Sequence, residues 1–290
     1  LSEASSTKTG ETESFKLILI FLSSISEAYI LVGGSTFLVT FGSVLTDMLQ
    51  YIFTQLQTKA HASALRIIEL AISHSPREGC SILKNTIQQL LPVVVSELIP
   101  VLNETKAMSR ANEIVLVQYL SLFARIRLQT PDIYSFFFTK PVPPNATVDM
   151  NKVFMLGLLR FFQKAGSGIN GLWRQKRFAL CLCQFLAEGN KSLLSKSSNL
   201  VHIFVDAMEN VSSSEFYLSP LSRQDSEGMS REATERARLL TSDIVHQLDL
   251  AQQIKSALEA CAQVVGVNVW QVFESSVQPA LVRRLREHIL

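Results

Sequence analysis

Residues 58–102 read TKAHASALRIIELAISHSPREGCSILKNTIQQLLPVVVSELIPVL, and this stretch decides the fold. Lys59–Ser73 reads as a helix, because Ala64, Leu65, Ile68 and Ile72 recur at the i, i+3, i+4 spacing of one apolar stripe. His74-Ser75-Pro76-Arg77 breaks it. A second helix runs from Cys80 to Leu91, carries Ile82, Leu83, Ile87, Leu90 and Leu91, and continues past Pro92 to Leu102. Pro92 either opens a new turn or kinks the helix. Each helix has one apolar face that it cannot hide alone, so the pair needs neighbours on both sides.

The same unit recurs in both directions. The first residues, 1–14, form a polar end read as loose. Phe15–Val32 and Ser35–Gln57 form a pair split at Gly33-Gly34, with Ser35 a plausible N-cap. From Leu17 to Leu45 the one charge is Glu27; the glycines and Ser23, Ser24 and Ser26 divide this run too early for a membrane span of about 20 residues. It therefore reads as two buried helices, with no membrane insertion. Ser109–Gln129 follows, with Glu113 in its first turn, and Thr130-Pro131-Asp132 starts a helix carrying Ile133, Tyr134, Phe136 and Phe137. Residues 15–139 thus read as one set of helix pairs. Residues 140–148, with Pro141, Pro143 and Pro144, read as a linker. Residues 149–290 supply further pairs, Asp149–Lys164, Leu172–Ala187, Lys191–Asn210, Glu232–Ala262 and two short final helices, around a polar loop near 212–231. Strand alternation is missing throughout, and breaks recur about every 40 residues once helices are paired, the period of HEAT and armadillo units. The expected fold is all-α: an α-solenoid of antiparallel helix pairs in a HEAT/armadillo-like superhelix.

Composition narrows the function. The chain has 290 residues, 47% hydrophobic and 18% charged, with a net charge of +2. That balance excludes a broadly basic nucleic-acid binder. The chain opens on Leu1 rather than Met, as a fragment or processed form would. Cys181 and Cys183 stand two apart on a helix and point to different faces, so with Cys80 and Cys261 they read as small buried hydrophobes. The sequons at Asn103, Asn145, Asn190 and Asn210 follow no signal peptide and read as chance.

Chemical motifs are sparse. Gly166-Ser167-Gly168-Ile169-Asn170-Gly171 matches GxGxxG, but a dinucleotide site needs a strand before the first glycine, and Val153–Lys164 has helical length. It reads as an inter-helix turn. His61, His74, His202, His246 and His288 are scattered, none three or four residues from another His or Cys, so no metal or cofactor is expected. No GxSxG elbow occurs and no catalytic residue can be named, so the chain does not read as an enzyme. Two basic clusters, Arg174-Lys176-Arg177 and Arg283-Arg284-Arg286, read as solvated helix faces, or else as contacts for an acidic partner. Phe21, Phe53, Phe137 and Phe161 read as core.

Three segments carry a family resemblance. Trp173-Arg174-Gln175-Lys176-Arg177-Phe178-Ala179-Leu180-Cys181-Leu182-Cys183, the helix from Asp243 to Ile254 and the closing run from Glu274 to Leu285 resemble the C-terminal part of the importin-β superfamily of nuclear transport receptors, most of all importin-eleven and its fungal relatives. The resemblance implies a receptor that shuttles between cytoplasm and nucleus. It would bind protein cargo and the phenylalanine-glycine repeats of nucleoporins. Ran GTPase would bind mainly through N-terminal repeats outside this chain, and no nucleic acid would be bound directly. The protein-binding residues stay unassigned. Import and export are not separated by these residues, and a non-transport HEAT scaffold for a signalling complex is a further alternative.

Overall fold

The computed structural model describes residues 3–56, 58–76, 79, 84, 94, 96, 98–103, 109–138, 149–167, 171–218 and 230–289. Among the described residues every regular element is helical. The helices are α1 (Glu3–Gln55), α2 (Thr58–His74), α3 (Arg110–Gln129), α4 (Pro131–Phe138), α5 (Met150–Ala165), α6 (Gly171–Ala187), α7 (Lys191–Leu194), α8 (Ser197–Leu218), α9 (Arg231–Ser242), α10 (Ile244–Gln247), α11 (Leu250–Val265), α12 (Val269–Ser276) and α13 (Pro279–Ile289). Most of the helix expected over Cys80–Leu102, including Pro92, and the proline-rich linker at 140–148 lie outside the described residues. Gly79, Lys84, Val94, Ser96 and residues 98–102 are helical, and Val94, Leu98 and Val101 are buried.

The split at Gly33-Gly34 is a kink. Gly34 takes φ 56° and ψ −140° inside an otherwise continuous α1. That positive φ suits glycine, and a Cβ there would lie 2.7 Å from His74 Cε1. The turn after α2 is equally tight: a Cβ on Gly79 would meet the backbone of Ala71 and Ile72 at 2.7 Å. Two expectations need correction. Residues 3–14 are helical where a loose polar end is expected, because extending a formed helix costs far less than nucleating one. Residues 212–218 belong to α8, and α9 begins at Arg231, so of the expected polar loop only 219–229 stay outside the described residues.

The helices form two layers. In one, α2, α3, α6 and α11 each pack on the next. In the other, α5 packs on α8, and α8 on α12 and α13. The pairs α3/α5, α6/α8 and α11/α13 join the layers, as expected for stacked helix pairs that mainly touch their sequence neighbours. Side-chain caps set several starts: Asp149 Oδ1 accepts from Lys152 N at 3.1 Å and Asp249 Oδ1 from Gln252 N at 3.2 Å. Ser109 caps α3 through Asn112 N, and the Thr130 hydroxyl donates to Ile126 O at 3.0 Å where α3 hands over to α4.

One apolar core runs through both layers. Its centre is aromatic: Phe123 of α3 meets Phe138 of α4 at 5.3 Å and Phe154 of α5 at 6.2 Å between ring centroids, and Phe154 meets Phe185 of α6 at 6.0 Å. Burying each such ring contributes about 1.5–3 kcal/mol. Gly157 of α5 lets this contact close, since its missing Cβ would sit 2.9 Å from Leu120 Cδ2 and 3.1 Å from Leu98 Cδ2. Phe53, Phe137 and Phe161 are buried as expected. Phe21 is not: it is 66% exposed. By length and composition Phe21–Gln55 would suffice to cross a membrane, but only one face of α1 packs inside the protein. Ile30, Leu31, Leu38, Leu45, Leu49 and Ile52 are buried, while Tyr29, Val39, Phe41, Val44 and Tyr51 face out. The two helices expected here do part at Gly34, but each is buried on one side only.

Candidate interaction surface

The charge cluster at the start of α6 is the polar centre of the molecule. Each of its residues reaches a different neighbour. The Arg174 guanidinium donates to Ser167 O at 2.5 Å. Gln175 is 3% exposed; it donates to Phe162 O of α5 at 3.3 Å and accepts from Asn210 Nδ2 of α8 at 3.1 Å. Lys176, 2% exposed, has its ammonium 5.7 Å from the Trp173 ring centre. Arg177 crosses to α2 and α3, donating to Glu69 and, at 2.6 Å, to Ser121 Oγ. The solvated face expected for Arg174-Lys176-Arg177 is therefore wrong. α3, α5, α8 and α11 all pack on α6, which buries Gln175, Lys176 and Arg177 and leaves Arg174 partly exposed.

Glu69, Arg125, Arg177 and Asp243 form a row across α2, α3, α6 and the N-cap of α10. Arg125 donates to Asp243 Oδ2 at 2.6 Å and to Glu69 Oε1 at 3.3 Å. Burial alone would raise the Glu69 carboxyl, but Arg177 and Arg125 outweigh it and hold the group below its ordinary value. Asp243 obeys the same logic: burial opposes ionisation, and Arg125 with Arg177 drives it. Burial and neighbouring Arg125 depress Arg177. A third buried arginine, Arg127, donates to Glu188 Oε1 at 2.5 Å and lies 3.8 Å above the Phe185 ring centre.

Beside this row is a cavity of about 330 Å³, lined among others by Lys176, Met208, His246, Leu248, Asp249 and His288. His246 meets Trp173 with ring centres 3.6 Å apart and the planes tilted by 38°. Burial, with Lys176, Arg177 and Arg125 nearby, pushes its pKa down to about 4 against the pull of Asp243, so it is neutral at physiological pH. Two histidines far apart in sequence, His246 and His288, thus share one cavity wall. His61 instead hydrogen-bonds the Tyr119 hydroxyl at 2.8 Å inside the core, and His202 is exposed.

A third charge group joins α1, α2 and α9. Glu27 on α1 is 7% exposed and takes Arg66 of α2 at 3.0 Å and Arg236 of α9 at 3.2 Å. The Arg236 contact spans 209 residues of sequence. α9 and α10 therefore cross from α1 to α6, over the ends of the Glu69–Arg177 row. No local signal in the sequence announces this crossing.

The remaining motifs resolve simply. Ala165 ends a helix directly before Gly166, where a dinucleotide site needs a strand; residues 168–170 lie outside the described residues. Cys181, Cys183 and Cys261 are free and buried, and burial pushes the Cys181 thiol up to about 12, far from a reactive thiolate. Cys80 lies outside the described residues. Among the described residues no group of three His, Cys, Asp or Glu side chains is arranged to hold a metal. Arg283, Arg284 and Arg286 do lie on a solvated face, paired with Glu287, Glu209 and Glu274. The arrangement is thus a largely buried charged row, a partly polar cavity and a crossing helix.

Comparison with known proteins agrees with the architecture. A family model described as importin-11-like, TPR repeats, matches residues 12–289. Importin-11 of Mus musculus is 21% identical over 279 residues, covering 91% of this chain and 27% of the relative. Importin-11 of Homo sapiens is 21% identical over 280 residues with the same coverage. The chain therefore spans about a quarter of the length of the curated relatives it matches. No solved structure gives a significant match. The family description speaks of TPR repeats where the sequence period suggests HEAT or armadillo units; all are stacked helix pairs.

Proposed function

Because the chain belongs to the importin-11-like family of helical repeats, we propose that it forms the C-terminal part of a nuclear import receptor. The receptor binds protein cargo in the cytoplasm, passes the pore by contacts with phenylalanine-glycine repeats, and releases cargo when Ran-GTP binds in the nucleus. The observation that carries this reading is the family match over residues 12–289. The layered fold supports it, because small adjustments between neighbouring helix pairs add up to changes in curvature along a solenoid.

In this reading the chain works by binding, not by catalysis. Cargo and Ran-GTP affinities are oppositely coupled, with a coupling free energy of about 1–3 kcal/mol typical of such linked sites. This segment supplies cargo-contacting surface, and shallow gaps between exposed apolar residues accept aromatic side chains of pore repeats. The test is a pull-down with the full-length protein, with and without Ran-GTP. Ran-GTP binding that elutes cargo is the expected result. Cargo retained together with Ran-GTP points to export, and no Ran-GTP binding at all overturns the transport reading.

A further inference from the structure

We propose that α9 is a displaceable strap, and that the ground it covers on α1 is a docking site for a basic helix of another protein carrying arginine and leucine three residues apart. The inference stands on the geometry of α9 alone and does not depend on the transport reading.

Four observations carry it. First, α9 is weakly seated. Its sequence, REATERARLLTS, is strongly polar, and among its described side chains Leu239 is the one buried hydrophobe. Leu239 stands outside the continuous apolar core that holds the other helices. Helices with so little apolar burial open locally at low cost.

Second, opening strands no charge. Arg236 pairs with Glu27 at 3.2 Å, but it also holds Glu232 within α9 at 2.9 Å. Glu27 in turn keeps Arg66 at 3.0 Å. Each partner thus retains a counter-ion when the contact breaks, which avoids the large penalty of an unpaired buried charge. Arg238 is likewise paired inside the helix, with Glu235 at 2.7 Å. Ser230 caps the start through Ala233 N at 3.2 Å, so α9 stays a satisfied helix away from the surface.

Third, there is a fixed pivot. Asp243, directly after α9, is held by Arg125 at 2.6 Å and caps Val245 N at 2.9 Å. Motion of α9 therefore ends at Asp243 and leaves α10 and the cavity in place. Fourth, the uncovered ground is chemically specific. It presents the Glu27 carboxylate, which Arg236 of α9 now covers, on the α1 surface against which α9 packs. A guanidinium and a leucine three apart on one helix face reproduce Arg236 and Leu239.

The test uses the full chain and a fluorescent, helix-stapled peptide of residues 230–243. In the native chain the tethered α9 holds the site at a high effective concentration and excludes the peptide. The variant Arg236→Ala/Leu239→Ala frees the site, and peptide affinity rises at least tenfold. Adding Glu27→Gln to that variant removes the gain. Equal affinity in native and variant chains, or no effect of Glu27→Gln, overturns the proposal. Hydrogen exchange on the unaltered chain gives a second reading that needs no variant: residues 231–242 exchange at least a hundredfold faster than residues 250–265. Equal protection of the two helices also overturns it.

Discussion

Two helices of this chain carry nearly the same basic cluster and give it opposite fates. In α6, Arg174, Lys176 and Arg177 lie under neighbouring helices, and the last two are almost wholly buried. In α13, Arg283, Arg284 and Arg286 stay at least 41% exposed by side chain. The difference comes from the rest of each helix. After Arg177, α6 continues as Phe178-Ala179-Leu180-Cys181-Leu182-Cys183, buried at every position. A helix apolar all round has no water-facing side, so its charges must find counter-ions inside. α13 keeps one apolar stripe, Leu281, Val282, Leu285 and Ile289, and its arginines lie off that stripe. A run of cations thus reports solvent only when the helix beneath it is amphipathic.

The sharpest way to break this comparison is Arg177→Met. It leaves Glu69 with Arg125 alone in a buried row, and we expect a loss of about 3 kcal/mol in urea unfolding, the low end for breaking a buried pair. The low end applies because the Glu69 side chain keeps 31% of its solvent contact. A loss under about 1 kcal/mol would place Arg177 with the solvated cations of α13. The double variant Glu69→Gln/Arg177→Met should recover about 1–2 kcal/mol of that loss, since the stranded charge is gone. No recovery would mean that Arg177 stabilises through packing rather than through its partner.

Acid should act on the buried region over two windows. Glu69 and Asp243 have lowered carboxyl pKa values in the fold. Their contribution is therefore intact above the unfolded value of about 4 and is lost as pH falls through the folded values below it. His246 is a base with a folded pKa of about 4, below its unfolded value of about 6.5. Between those values the unfolded chain binds a proton that the fold refuses, so stability falls as pH drops from about 6.5 to about 4. His61 is lowered by burial and adds a slope of the same sign. His246→Gln should flatten, without abolishing, the decline measured by chemical unfolding over this range. An unchanged slope would show that His246 is protonated in the fold.

The sequence makes the repeat architecture readable, because stripes, caps and breaks are local. Ser109 and Asp149 cap the helices they precede, and Gly34 bends α1 where the glycines stand. Burial of the basic cluster is not readable from the cluster itself. Its partner Glu69 lies 108 residues from Arg177, and Asp243 lies 118 from Arg125. One usable signal does exist, the apolar run after Arg177, which leaves that helix no solvent side. The crossing of α9 from Glu27 to the α10 cap has no comparable signal, since a polar helix after a polar stretch looks like surface wherever it lies. Hydropathy misleads on the exposed side of α1, because it counts apolar residues without saying which face is covered.

The smallest effect belongs to α13, and it is the control on which the comparison depends. Arg284 pairs with Glu209 of α8, with side chains 47% and 38% exposed. Such a pair gains little in water and loses side-chain freedom, so Arg284→Ala should cost under about 1 kcal/mol. What seats α13 is the stripe from Leu281 to Ile289, and that is untouched by the substitution. The effect should shrink as salt is raised to about 1 M, where screening reaches a few ångströms, while the Arg177→Met penalty should shrink less, because Arg125, Arg177 and Asp243 are each at most 9% exposed by side chain. Equal salt dependence of the two losses would dissolve the distinction between the clusters, since it would mean that water and ions reach both.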